Sequence, residues 1–525
     1  MYDAIIVGTG PSGTAAALAL QDKKVLILDV GIKPPPNNKL NGNIFDLRQK
    51  DKNQFDYLIG KEFESLANIS STDLVSVKLK APYLSFVVRD RFKFFAIETK
   101  NFSPFISYAY GGLANAWGGG VYIFTDEDLP GFPITYADLA PFYDKVTRHI
   151  GISGTEDELT PVLGSSRYLQ KELQLSANAQ HLLSAYRRYR RLFHRKGLAL
   201  GQARAAALTE ELPGRTPCAY DNTGYFTSDV SYLYTPPLTL GPLLAEKDNL
   251  TLKTGFFVES FKDSARGVTV QALDIGSGQM VAFKGKKLLL AAGTIGSGRI
   301  VLSSFRDYTA EMPILDNPFS ITPFINIRRI GATFDKYGHE GNQLNLLYSG
   351  PLWPERVQGS VASYISPLRG DVFFDFPLSF TGNMACTRYL IPAITLLLLF
   401  YPDAPKAGNY LKLLDPKTLY IQYTEVEPLG AVERSVIKLF SRLGFYSLPG
   451  LTRTLTPGNG IHYAGTVPMG KDSYKYQVDE ACRLRQCQNV HIVDGSVLPR
   501  LPAKNLTLTL MANAMRVAAI VKERV

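Results

Sequence analysis

Cysteine is scarce in this chain: Cys218, Cys386, Cys482 and Cys487 are the whole complement, and no two of them form a C-x-x-C pair. This excludes a disulfide-built scaffold and, with C-x-x-C-H missing, a c-type haem carried by the chain. Cys482 and Cys487 are close enough in sequence to bridge, but without an export signal they are expected to be reduced thiols. Long apolar runs are missing as well. The longest, Tyr389–Tyr401, has 13 residues and contains a proline, short of the roughly 20 needed to span a bilayer. Its expected fate is a buried helix. Nor does a basic, apolar, cleavable leader open the sequence, which goes from MYDAIIVGTG directly into a strand. The expected location is cytoplasmic.

The 525 residues are 45% hydrophobic and 20% charged, an ordinary globular composition with length enough for two or more domains. A net charge of +10 admits nucleic acid, an anionic membrane surface or an acidic substrate. With no zinc-finger spacing and no nucleic-acid module, no nucleic-acid partner and no metal site are expected.

The first chemistry-bearing motif is Gly8-Thr9-Gly10-Pro11-Ser12-Gly13, set between the apolar run Asp3–Val7 and the helix-forming residues 14–22. Gly8 permits the tight turn, Gly10 lets backbone approach a pyrophosphate beside Ser12, and Gly13 lets helix and strand pack closely. The phosphates then meet free N–H groups at a positive helix end. Asp29 follows 21 positions after Gly8 at the end of a second strand, where a carboxylate accepts from ribose hydroxyls. An acid there disfavours a 2′-phosphate. A glycine turn by itself is a weak signal, and FAD and NAD are not separated by it.

The alternation of strand and helix stops after Asp29 at the Pro- and Asn-rich stretch 32–43. It resumes at residues 249–261, 267–274 and 286–304, where a strand runs into Ala291-Ala292-Gly293-Thr294 and opens a helix. A third visit, Val490–Val493, Asp494-Gly495-Ser496 and a helix from Leu506, closes the chain. Residues 1–125, 245–310 and 455–525 are therefore read as one discontinuous nucleotide domain. Residues 126–244 and 311–454 form a second domain laid over it, with the site between the two.

These segments, together with YGGLANAWGGG (110–120), FPITYADLAPFYDKV (132–146) and GIHYAGTVPMG (460–470), resemble the glucose–methanol–choline (GMC) family of FAD-dependent oxidoreductases over nearly the full length. The segment around 133–143 is most similar to the pyranose oxidase-like, sugar-oxidising branch. The resemblance implies an α/β fold: a Rossmann-like FAD-binding domain plus a mixed α+β substrate domain with an antiparallel sheet. It places Gly112, Asn115, Ala116, Trp117 and Gly118 along the flavin ring, Val258 and the Ala292-Gly293 turn around the dinucleotide, and Asp494 and Gly495 near the ribityl chain. Some sugar-oxidising relatives attach FAD through a His at the position of Ala116, so Ala116 implies FAD held without a covalent link. The family usually has Pro after the Asn that matches Asn505, and Leu506 stands here instead.

Oxidising an alcohol needs a base for the hydroxyl proton and an acceptor for the hydride, which is flavin chemistry. By the same resemblance His462 is the expected base, and Asn505 the amide that holds the substrate oxygen. Asn is also a common N-cap, so Asn505 is expected to cap the closing helix as well. The expected partner is a small-molecule alcohol, in first place a carbohydrate. Its reoxidant, oxygen or a quinone, has no signature. Hydroxynitrile lyases and photodecarboxylases resemble the family too, so a non-redox activity stands as the alternative, beside an oxidoreductase for a lipid-linked or non-sugar alcohol. The cluster RRYRRLFHRK (187–196) is either a solvated helix face or a peripheral contact with an anionic membrane.

Overall fold

The computed structural model describes residues 1–35, 40, 42–61, 79, 81–224, 226–227, 230–339, 341–351, 353–363, 378–424, 430–470 and 474–525. Of the Pro- and Asn-rich stretch, residues 36–39 and 41 lie outside these. The strands Tyr2–Val7 and Val25–Asp29, and the end of Met280–Leu290 at Leu288–Leu290, are buried apolar runs, which suits the covered centre of a parallel sheet, while Leu250–Thr254 is half-exposed at its edge. They lie in that sheet in the order 250–254, 25–29, 2–7, 280–290, followed by the antiparallel Gly267–Asp274 and Phe256–Ser264. Val490–Ile492 adds a parallel strand on Met280–Leu290, with Leu289 opposite His491. Three distant stretches of chain thus build one sheet, because the apolar side chains of each are buried only when the others are present.

Helix Pro11–Ala19 packs on the closing helix Thr507–Lys522, and both turn their N-termini toward the carboxyl ends of the parallel strands. That is where open α/β sheets bind ligands.

A second, antiparallel sheet runs Phe445–Tyr446, Phe319–Asn326, Ile394–Phe400, Trp353–Ser363, Leu344–Gly350, Leu198–Gln202. In Phe319–Asn326 burial alternates: Phe324 enters a core with Phe440, while Ile321 faces the space between the sheets. A smaller sheet pairs Thr418–Gln422 with Ala96–Lys100, tying the first stretch of the chain to the last part of the 311–454 region. The run Tyr389–Tyr401 is not a buried helix. Helix Phe380–Tyr389 ends where the run begins, Pro392 cannot continue it, and Ile394–Phe400 becomes a strand hydrogen-bonded on both sides. Among the described residues no helix is long and apolar enough to cross a membrane, and no disulfide joins the four cysteines.

Candidate active site

A cavity of about 610 Å³ opens between the two sheets, within the range of small-molecule and cofactor pockets. Gly8, Gly10, Ser12, Asp29, Gly112, Ala116, Trp117, Gly118, Val258, Ala292, Gly293, His462, Asp494, Gly495 and Asn505 all line it. Two expected residues do not. A Cβ on Gly13 would collide with the Gly8 carbonyl, so Gly13 serves helix–strand packing. The Asn115 amide donates to the carbonyls of Tyr110 (3.0 Å) and Gly112 (2.8 Å), and so shapes the 110–118 loop from within.

The cavity suits a dinucleotide. Cβ atoms added at Gly10 or Gly293 would meet nothing within 4 Å, so these two turns leave open space where other residues would put side chains. The Asp29 carboxylate accepts from Thr9 N (2.7 Å), Thr9 Oγ1 (2.5 Å) and Gly31 N (2.9 Å). Burial outweighs these donors and raises its pKa to about 6. Thr9 Oγ1 also accepts from Gly111 N at 2.8 Å, coupling the phosphate turn to the 110–118 loop. Arg299, which the sequence reading missed, is buried between Phe95 and Phe257 and donates to the Val258 carbonyl at 2.5 Å. Its guanidinium is a fixed cation in the wall, complementary to an anionic ligand.

Asp494 accepts from Ser496 N (3.0 Å) and Ser297 Oγ (2.5 Å), so its side chain holds the 494–497 turn against helix Thr294–Phe305. Asn505 does not cap the closing helix. Leu506 occupies the cap position and makes no side-chain cap bond. With capping absent, Asn505 Nδ2 lies 3.4 Å from His462 Nε2. Its Oδ1 is buried without a partner.

His462 follows Ile461, a β-branched residue held at φ 55°, a backbone state that costs about 1–3 kcal/mol and clusters at functional sites. The turn is fixed by the buried Asp316, which accepts from Gly458 N at 2.6 Å. Next to Asp316, Asn317 was not singled out in the sequence, although a polar Asp-Asn-Pro inside an apolar run was a readable signal. Asn317 Nδ2 donates to the carbonyls of Tyr401 (2.7 Å) and Pro502 (3.1 Å), which leaves Oδ1 facing His462 Nδ1 at 3.2 Å. An amide oxygen can only accept. It therefore keeps the proton on Nδ1 and makes Nε2 the acceptor, its lone pair facing Asn505 Nδ2. Burial pushes the imidazolium down to about 4, so the ring is a neutral base at neutral pH.

Replacing Asn317 by Asp puts a carboxylate on Nδ1 and stabilises the imidazolium. The acid limb of kcat/KM is expected to move up from about 4 by roughly 1–3 units. Asp316, the residue before Asn317, and Asp403, which accepts from Asp316 N at 3.2 Å, are unchanged in the variant. Asp316, pushed by burial to about 7, would contribute any limb there in both proteins. An acid limb that stays in place would show that Asn317 does not govern the ring.

Fold and site together give a cavity lined by the glycine turns of a nucleotide-type sheet, with a His–Asn pair opening into it. More particularly, the C-terminal stretch carries a GMC oxidoreductase domain, of a family whose members are FAD-dependent. Residues 451–514 match the family model for GMC oxidoreductase. The chain is 22% identical over 444 residues to 6'''-hydroxyparomomycin C oxidase of Streptomyces lividus, covering 76% of this chain and 73% of that one. Over 58 residues, 11% of this chain and 12% of the other, it is 40% identical to an uncharacterized GMC-type oxidoreductase of Sinorhizobium fredii. Among solved structures it is similar in fold to pyridoxine 4-oxidase from Mesorbium loti (TM-score 0.62, 13% identity, 99% of each chain). Formate oxidase of Aspergillus oryzae is similar as well (TM-score 0.61, 12% identity, 100% of this chain and 98% of that one).

Proposed function

We propose that the chain oxidises a CH–OH group of a sugar or glycoside to a carbonyl, with His462 as general base. The carrying observation is the His462–Asn505 pair at 3.4 Å, opening into the cavity that the nucleotide turns line. Bound FAD supplies the hydride acceptor. His462 Nε2 takes the hydroxyl proton while Asn317 keeps Nδ1 protonated. Asn505 Nδ2 donates to the substrate oxygen as alkoxide character develops, without itself carrying charge. The N-terminus of the closing helix, whose Leu506 and Thr507 line the cavity, adds a positive potential favouring a reduced, anionic ring. Support for the sugar reading comes from the likeness to an oxidase named for a hydroxyparomomycin and from the pyranose oxidase-like segment.

FAD is held without a covalent link in this reading, since Ala116 offers no nucleophile. One preparation tests both points. Anaerobic addition of sugars, glycosides and simple alcohols should bleach the flavin, and acid precipitation should leave it in the supernatant. A flavin that no alcohol bleaches argues for the non-redox alternative, and a yellow pellet for a covalent bond.

A cytoplasmic location belongs to the same reading, consistent with four cysteines that no disulfide joins and testable by cell fractionation. Contact of residues 187–196 with an anionic membrane is a separate proposal. The cluster is largely exposed on Ala177–Arg188 and Arg190–Arg195, and Glu158 pairs with both Arg190 and His194. Failure to float with anionic liposomes would dispose of it.

A further inference from the structure

One row of residues across the antiparallel sheet changes character along its length. Asn345 stands opposite Ser360, Ser360 opposite Leu398, and Leu398 opposite Ile321, so all four share a face. Ser360, Leu398 and Ile321 line the cavity. The apolar end continues into Phe400, whose ring lies 5.1 Å from that of His462. At the polar end Ser360 Oγ accepts from Asn342 Nδ2 and Gln358 Nε2, each at 3.2 Å, and Tyr122 OH donates to Asn345 Oδ1 at 2.6 Å. Ser360, Asn345, Gln358 and Tyr122 are at most 2% exposed. Asn345 Nδ2 and Gln358 Oε1 have no partner. Such a buried polar cluster is costly unless its hydrogen bonds are completed.

The cluster adjoins the reacting pair. A Cβ placed on Gly120 would stand 3.2 Å from Asn342 Nδ2, 3.5 Å from Tyr122 OH and 3.6 Å from Asn505 Nδ2. With no side chain at residue 120, these three groups approach the same space beside Asn505.

Resting on the alcohol-oxidation reading, we propose that Asn342 and Ser360 form a hydroxyl-recognition subsite. The substrate carries a second hydroxyl on the carbon next to the one oxidised. Asn342 and Ser360 hold that hydroxyl while Asn505 holds the reacting one, and Leu398, Ile321 and Phe400 pack on the C–H face of the same ring. A polyhydroxylated ring has such a polar edge and apolar face, and a simple alcohol has only the second.

The test pairs the alcohol that bleaches the flavin fastest with its deoxy analogue lacking the neighbouring hydroxyl, followed by stopped flow in the holoenzyme. The parent compound should be preferred by roughly 10–100-fold, the value of one polar contact to a buried group. In Asn342→Leu and in Ser360→Ala that preference should fall to a few-fold, with the FAD content unchanged. Asn342→Gln, which keeps an amide, should retain part of it. Equal rates for the two compounds in the wild type, or a preference that survives both substitutions, overturns the subsite while alcohol oxidation stands. Silence of the whole alcohol panel overturns both.

Discussion

Replacing His462 with Ala should slow anaerobic flavin reduction by about 10²–10⁴-fold, the usual contribution of a placed general base, while FAD remains bound. The two effects separate because of where the residue sits. His462 touches Asn317, Asn505 and Phe400, whereas the dinucleotide turns come from residues 8–13, 29 and 292–293. The rate should be lost in kcat, since the proton moves in the transition state and not on binding. The acid limb that burial places near pH 4 in the wild type should vanish with the imidazole, leaving a rate that climbs with hydroxide. Unchanged reduction, or a persisting limb near pH 4, would remove His462 from the mechanism.

Lys504→Met is expected to cost roughly 3–5 kcal/mol of stability, the penalty for breaking a buried ion pair by removing one partner. The Lys504 ammonium is 3% exposed. It is bonded to the Asp128 carboxylate, to the Val162 carbonyl and, at 3.1 Å, to the Ile123 carbonyl. Burial lowers its pKa, against the pull of Asp128. Its partners belong to the 123–128 and 160–163 stretches, so this one cation fastens the last turn before Asn505 to the body of the molecule. Met removes the charge and leaves Asp128 with only the Thr125 donors. Urea unfolding measures the loss. Flavin reduction should fall in step as Asn505 loses its footing. Adding Asp128→Leu should recover much of the stability, because no buried charge is then left alone. A loss below about 1 kcal/mol in the single variant would mean that Asp128 is relieved by water.

The nucleotide half of the site was legible because its chemistry is local. The turn 8–13 needs glycine at fixed offsets for backbone reasons that act within six residues, and Asp29 is delivered by the next strand. The loop 110–120 and the block 460–505 were legible through resemblance. What local sequence carried less well were the side-chain directions: Asn115 turns into its own loop, and Asn505 points to His462 with no capping role. The fate of Tyr389–Tyr401 was misread because a short apolar run fits a buried helix or strand equally. Its neighbours on both sides decided for the strand.

By itself, then, the sequence determined a nucleotide-type sheet entered three times by the chain, and it pointed to one His and one Asn as a pair. Only the tertiary structure decided which nitrogen of His462 carries the proton and which cation anchors Asn505. It also decided which amides gather at Gly120. Each of those depends on atoms brought within hydrogen-bond reach from residues tens to hundreds of positions apart, Asn317 to His462 and Asp128 to Lys504. Short-range forces of that kind exist only once the sheets have packed, and no spacing along the chain records them.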